Sequence, residues 1–156
     1  MNTLRIEHSV LINLPVEEIF AYISNFENLA SWSGAVTSTR HISPEDKLVG
    51  STVQCTISIL GKCFDTTYEI VECVPSRYFT FKSISSVAPT LVCYQFEPVE
   101  GTGTKVIVDE TINFTGGLLG IDEQMIARAI RHQVEEDLQT LKDLLEGTAS
   151  IYSNPQ

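Results

Sequence analysis

The segment that most constrains the fold of this chain is residues 122–146, which contain neither proline nor glycine. Asp122 and Glu123 suit the positive end of a helix dipole, and Gly147 is typical of a residue that follows a helix. The apolar residues fall within one arc of about 120° on a helix of 3.6 residues per turn: Ile126, Ala127, Ile130, Val134, Leu138, Leu141, Leu144 and Leu145. Such a wide stripe needs a large apolar partner.

The partner is the strand-rich sequence that precedes this helix. In residues 4–13, Ile6, His8, Val10 and Ile12 alternate with outward positions, which predicts a strand with one buried face. Alternation and turn residues predict six further strands, at 36–42, 51–60, 62–74, 77–85, 90–98 and 104–114. Short links make successive strands antiparallel neighbours. We therefore expect one curved sheet around one long helix, with the first strand paired to the last.

Two short helices are predicted between the first and second strands. Pro15 suits the first position of a helix, and Ile19, Phe20 and Ile23 form its apolar stripe. Asn25 is expected to end it, before a second short helix at 26–31. We expect a single domain over 1–147 and a loose tail over 148–156.

Composition excludes several classes of function. A net charge of −10 disfavours nucleic acid and anionic membrane surfaces. No run approaches the roughly 18 apolar residues that a membrane span needs, and the start lacks the pattern of a signal peptide. We expect a cytoplasmic protein without stable membrane insertion, as a monomer or weak homodimer.

Cysteine and histidine spacing indicates neither a metal site nor a disulfide framework. No C-x-x-C pair is present, and the histidines are scattered along the chain. We expect no metal, no cofactor and four buried free thiols: Cys55, Cys63, Cys73 and Cys93.

A resemblance to a known family rests on two segments and two single residues. The segments are EHSVLINLPVEEIF at 7–20 and EEDLQTLKDLLE at 135–146, and the single residues are Asn25 and Trp32. With this order of elements, the chain resembles the START-like superfamily, also called SRPBCC or polyketide cyclase/lipid transport, which includes birch-pollen-allergen-like proteins. The resemblance implies an α+β helix-grip fold, in which a seven-stranded antiparallel sheet curls around the C-terminal helix.

The resemblance also implies a hollow interior that takes a small apolar molecule such as a lipid, sterol, quinone or polyketide. Strand and helix phase identify the inward residues, which serve either as core or as cavity wall. The candidate ligand-binding residues are Phe64, Tyr68, Phe81, Tyr94, Phe96, Glu110, Ile112, Ile126, Ile130, Val134 and Asp137. Trp32 either plugs the short helices against the sheet or lines the cavity.

Three ionisable residues share the phase of apolar neighbours: His8, Glu110 and Asp137. A buried charge is costly unless it is paired. Each residue therefore either serves as a polar ligand-binding group inside the cavity or lies at a solvated cavity mouth or strand end.

Three functions remain open. The first is a non-enzymatic carrier or sensor of a small apolar ligand. The second is a cyclase or dehydratase that uses His8, Glu110, Asp137 or a tyrosine as an acid–base group. The third is a protein-interaction module. A convergent pair of titratable groups favours the second, and an exposed apolar patch favours the third.

Overall fold

The computed structural model describes residues 3–42, 49–101, 103–113 and 122–153, with side chains up to Gly147. The elements are β1 (Thr3–Ile12), α1 (Val16–Ser24), a 3-10 turn (Phe26–Asn28), α2 (Leu29–Trp32), β2 (Val36–His41), β3 (Thr52–Ile59), β4 (Lys62–Val74), β5 (Tyr78–Ser85), β6 (Thr90–Pro98), β7 (Thr104–Asn113) and α3 (Glu123–Ser153). Each predicted strand and helix is present with small shifts at its ends. The second short helix is divided into the 3-10 turn and α2.

The seven strands form one antiparallel sheet in the order β1-β7-β6-β5-β4-β3-β2. The first strand pairs with the last over its whole length, from Thr3 opposite Asn113 to Ile12 opposite Thr104. This arrangement, with its long C-terminal helix, confirms the predicted helix-grip fold. Thr104 is fully buried at this junction, and its hydroxyl donates to the Leu14 carbonyl at 2.9 Å. The junction therefore also holds the chain where it leaves β1 for α1.

The helix α3 packs its apolar stripe against the inner face of the sheet. Asp122 caps its start, since one carboxylate oxygen accepts from the backbone N–H of Gln124 at 3.1 Å and of Met125 at 3.4 Å. The buried stripe consists of Ile126, Ile130, Val134, Leu138 and Leu141. Near its far end, Lys142 donates to the Leu11 carbonyl at 2.6 Å, which fastens α3 to β1.

The predicted end of this helix at Gly147 is wrong, because α3 continues to Ser153. Glycine costs a helix only about 1 kcal/mol relative to alanine, so it does not end a helix whose backbone bonding continues. The expected loose tail therefore begins with helical residues, and residues 154–156 lie outside the described part of the chain.

Aromatic residues dominate the core next to the short helices. Phe26, on the 3-10 turn, packs its ring against the inward side chains of β4 and β5, with centroids 4.7 Å from Phe81 and 5.9 Å from Tyr68. Tyr68 and Phe81 themselves pack edge to face at 5.0 Å. Each such pair adds roughly 0.5–1.5 kcal/mol beyond simple burial, so this cluster fixes the short helices against the sheet.

The four cysteines are free thiols, but only Cys55 is buried. Cys63 is exposed and the other two are half-buried, which corrects the expectation of four buried thiols. The reason is strand phase: the inward residues of β4 are Thr66, Tyr68 and Ile70, so Cys63 points outward. None of the helices within the described residues is long and apolar enough to span a bilayer.

Candidate functional site

A cavity of about 290 Å³ lies between the inner face of the sheet, the α2–β2 connection and the middle of α3. This volume is near the lower end of the range of roughly 300–1,000 Å³ that is common for small-molecule sites. Its wall is largely apolar, and it draws on β2 to β7 as well as the helices.

Most of the predicted site residues meet at this cavity. Nine of the eleven line it: Phe64, Tyr68, Phe81, Tyr94, Glu110, Ile112, Ile130, Val134 and Asp137. Phe96 does not, because its ring packs edge to face against Phe20 of α1 at 5.4 Å. Ile126 does not either, because it lies one turn before Ile130 and is fully buried in the core. Phase alone could not separate these two residues from the wall.

Trp32 fills both of the roles considered for it. It is buried at the end of α2, as a plug would be, and it also forms part of the cavity wall. Its ring packs edge to face against Tyr94 at 6.0 Å. The enclosed indole Nε1 has no hydrogen-bond partner in the described part of the chain.

Glu110 is an acidic residue set in an apolar stretch of β7. It lies between the inward residues Val108 and Ile112 and opposite Val92 of β6, so the strand carries its side chain to the inner face. It lines the cavity and makes no hydrogen bond or ion pair with any described residue. Burial, with a further contribution from the negative charge of Asp137, raises its pKa from 4.5 to about 7. Glu110 therefore exchanges a proton near neutral pH.

The hydroxyls of Tyr68 and Tyr94 are also without hydrogen-bond partners among the described residues. Burial raises the pKa of both phenols, and the charge of Glu110 raises each of them further. Both hydroxyls therefore stay neutral at ordinary pH. Tyr94 pairs with Val108 while Glu110 pairs with Val92, which makes Tyr94 and Glu110 diagonal neighbours on one face of the sheet. The backbones of such neighbours are typically about 7–8 Å apart, which long side chains can span.

The polar oxygens of Glu110, Tyr68 and Tyr94 differ from the enclosed Trp32 nitrogen, because they border open space in the cavity. A polar group inside an apolar wall is costly until it finds a partner. These three groups are therefore ready to bond to whatever occupies the cavity.

Asp137 lines the same cavity, but its acceptor capacity is used by the protein. Its carboxylate accepts from the Ser33 hydroxyl at 2.9 Å, the Gly34 N–H at 2.9 Å and Gln133 Nε2 at 2.8 Å. Burial nevertheless raises its pKa, against the opposing effect of these three donors. Asp137 thereby ties α3 to the connection between α2 and β2, which forms one side of the cavity.

A Cβ added at Gly34 would collide with Gln133 Nε2, so a larger residue there would displace the Gln133 side chain from its present position. The sequence analysis identified Asp137 but missed its three partners. Gln133 lies four residues before Asp137, which is the spacing at which helical side chains meet, so this one partner was visible in the sequence.

His8 keeps its predicted inward phase but does not reach the cavity. It is half-buried on β1 opposite Val108, which makes it a diagonal neighbour of Glu110 in the sheet, but it is not part of the cavity wall. His132 stands at the rim and pairs with Glu136 at 3.0 Å, mostly in solvent. Within the described ranges, no three His, Cys, Asp or Glu side chains are grouped so that they could hold a metal ion.

Comparison with known families accounts for this architecture. Residues 3–146 match the family described as polyketide cyclase/dehydrase and lipid transport. The chain belongs to this family. No curated protein matches its sequence.

Solved structures reproduce the polyketide cyclase/dehydrase fold over nearly the whole chain. The Zhui aromatase/cyclase from Streptomyces sp. R1128 is 11% identical, with a TM-score of 0.79 over 93% of this chain and 94% of that one. A START superfamily protein from Mycobacterium smegmatis is 13% identical, with a TM-score of 0.78 over 92% and 98%. TTHA0849 from Thermus thermophilus is 20% identical, with a TM-score of 0.76 over 94% and 99%. At these identities, the likeness shows the fold alone.

Proposed function

We propose that this protein binds one small, largely apolar molecule in the cavity between the sheet and α3, as a carrier or sensor. The observation that carries the proposal is the apolar cavity of about 290 Å³, which Glu110, Tyr68 and Tyr94 line without hydrogen-bond partners among the described residues. Membership of a family of cyclases, dehydrases and lipid-transport proteins agrees with it.

The energetics favour an occupant with both apolar and polar parts. Each Å² of apolar surface that is removed from water contributes about 25 cal/mol to the binding free energy, so a ligand whose shape fills the apolar cavity binds favourably. A polar group on that ligand, bonded to Glu110 or to a tyrosine hydroxyl, also relieves the cost of unpaired polar atoms. A purely apolar ligand fills the space but leaves the three polar groups without partners.

A neutral, environment-sensitive dye such as prodan tests this proposal. Prodan should bind the folded protein at one site per chain, with the blue-shifted emission of an apolar environment. Ile130→Trp and Val134→Trp should each block binding, because both side chains line the cavity and are already buried. Thr140→Trp is the matched control, since Thr140 is exposed on α3 and the variant should bind like the original. A folded Ile130→Trp protein that still binds prodan would contradict the proposal.

A second function, proton-transfer catalysis, is favoured by the pair of carboxyl groups at the cavity. Glu110 and Asp137 line one space, the negative charge of Asp137 helps to raise the pKa of Glu110, and a pKa near 7 suits a general acid or base. The sequence alone did not show such a pair.

Deuterium exchange into the methyl group of 2-acetylnaphthalene, followed by NMR in D₂O, measures proton abstraction next to a carbonyl. An enzyme of this kind should speed the exchange, and Glu110→Gln should abolish the acceleration while prodan still binds. Exchange no faster than in buffer leaves the carrier function as the only one supported.

A further inference from the structure

The charges around the cavity have one sign. Its ionisable wall residues are Glu110, Asp137, Tyr68, Tyr94 and His132, and no Lys or Arg in the described part of the chain lines it. The tyrosines are neutral at ordinary pH because burial raises their pKa. His132 directs its Nε2 to Glu136 at the exposed rim. The deep wall therefore offers negative charge, hydroxyls and aromatic rings, and no Lys or Arg of the described residues opposes that charge.

The Lys and Arg side chains of the described residues are exposed or bonded away from the cavity. Arg5 forms a bidentate pair with Asp109, at 2.7 and 3.1 Å, on the outer face of the sheet. Lys142 bonds to Leu11 and Glu146 at the far end of α3. Arg128 and Arg131 are on the exposed side of α3. One cation, Lys47, lies outside the described residues.

We propose that this cavity selects an apolar ligand whose polar group is a hydrogen-bond donor, either a hydroxyl or an ammonium group, and rejects carboxylic acids. The proposal rests on the ligand-binding function above and specifies the class of ligand. It excludes ionised fatty acids, which the resemblance by itself left among the candidates.

The donor requirement follows from Glu110 in its ionised form, because a carboxylate accepts hydrogen bonds and donates none. A ligand hydroxyl that donates to Glu110 can also accept from the Tyr68 or Tyr94 hydroxyl. The ligand hydroxyl and the protein groups then both have hydrogen-bond partners. An ammonium group can donate to Glu110 while the rings of Tyr68, Phe81 and Tyr94 present faces that attract cations. A ligand carboxylate would instead meet Glu110 and Asp137 in a medium that screens charge poorly.

Four naphthalenes of similar size separate these cases by displacement of prodan at about pH 8, where Glu110 is mostly ionised. They are 2-methylnaphthalene, naphthalen-2-ylmethanol, naphthalen-2-ylmethylamine and 2-naphthoic acid. The amine and the acid both carry a full charge at this pH and both lose hydration on entry, so their ratio reports the sign of charge that the cavity prefers. The amine and the alcohol should each bind at least about tenfold more tightly than the acid.

Two variants assign the preference to Glu110. Glu110→Gln keeps the shape and removes the charge, so the amine-to-acid ratio should fall at least about tenfold, while 2-methylnaphthalene should bind as tightly or more tightly. Glu110→Leu removes the acceptor, so the alcohol should lose its advantage over 2-methylnaphthalene. Glu135→Gln, on the exposed face of α3, removes one charge far from the cavity and should change neither ratio.

The outcomes distinguish failure of this inference from failure of the function beneath it. If no naphthalene displaces prodan, and Ile130→Trp leaves prodan binding intact, the ligand-binding function is wrong and the inference falls with it. If 2-methylnaphthalene binds but the acid binds as tightly as the amine, the inference alone is overturned. The inference is also overturned if Glu110→Gln leaves the amine-to-acid ratio unchanged.

Discussion

Replacing Glu110 with glutamine should stabilise the ligand-free protein increasingly as pH rises. Its pKa is raised by burial from 4.5 to about 7 in the folded protein. Folding therefore favours the protonated form. The contribution of Glu110 to stability is fully present below about pH 4.5 and is lost as pH rises through about 7. Glutamine keeps the shape and never takes the charge, so it avoids this loss.

The magnitude follows from the difference between the two pKa values. From 4.5 to about 7, the pKa rises by about 2.5. Each pKa unit corresponds to about 1.36 kcal/mol, so the full loss of folding stability is about 3.4 kcal/mol. Part of it has already occurred at about pH 5.5, because an unfolded glutamate is mostly ionised there. Between about pH 5.5 and about pH 8.5, the stability difference between variant and original should grow by about 2 kcal/mol in favour of the variant.

Urea unfolding of both proteins at the two pH values measures this difference directly. The titration of groups that are not coupled to Glu110 is common to both proteins and cancels in the comparison. Glu135→Gln is the control, because it removes the same charge from an exposed position on α3 and should show no growth with pH. An equal effect of Glu110→Gln at both pH values would refute the placement of this carboxyl in a poorly solvated cavity.

Two further predictions concern the cavity wall and the thiols. Asp137→Ala should lower the free energy of unfolding by about 1–3 kcal/mol, because it strands the donors of Ser33, Gly34 and Gln133, whereas Glu135→Ala should change it by less than about 0.5 kcal/mol. Urea unfolding measures both, and equal effects would show that the three hydrogen bonds add nothing. A thiol reagent should count four free thiols in the denatured protein made without reductant. In the folded protein Cys63 should react first and Cys55 last, since Cys55 is buried and its pKa is raised to about 12. Faster labelling of Cys55 than of Cys63 would contradict the assigned strand phase of β3 and β4.

The order of elements and the inward faces of strands and helix were predictable from local pattern. Alternation over ten residues sets which side of β7 is buried, so Glu110 could be placed among Val108 and Ile112 without a structure. The stripe on α3 likewise predicted Ile130, Val134 and the inward position of Asp137. The pairing of β1 with β7 followed from the need to cover a long apolar helix.

Sequence pattern was less informative at ends and at borders. The helix passes through Gly147 because local propensity is weak beside continued backbone bonding. Phe96 and Ile126 have the correct phase but lie in solid core, one under α1 and the other beyond the end of the cavity. A cavity is the space that packing leaves unfilled, and its borders depend on the position of every surrounding element.

The sequence by itself determined that two carboxyl groups, Glu110 and Asp137, share the phase of apolar neighbours. Only the tertiary structure decided that the two groups differ in their hydrogen-bond partners. Asp137 meets Ser33 and Gly34, which lie more than 100 residues away along the chain, and its charge is satisfied by the protein. Glu110 meets no such donors among the described residues. Periodicity reports which way a side chain points, whereas its partners come from distant segments that only the folded chain brings into contact.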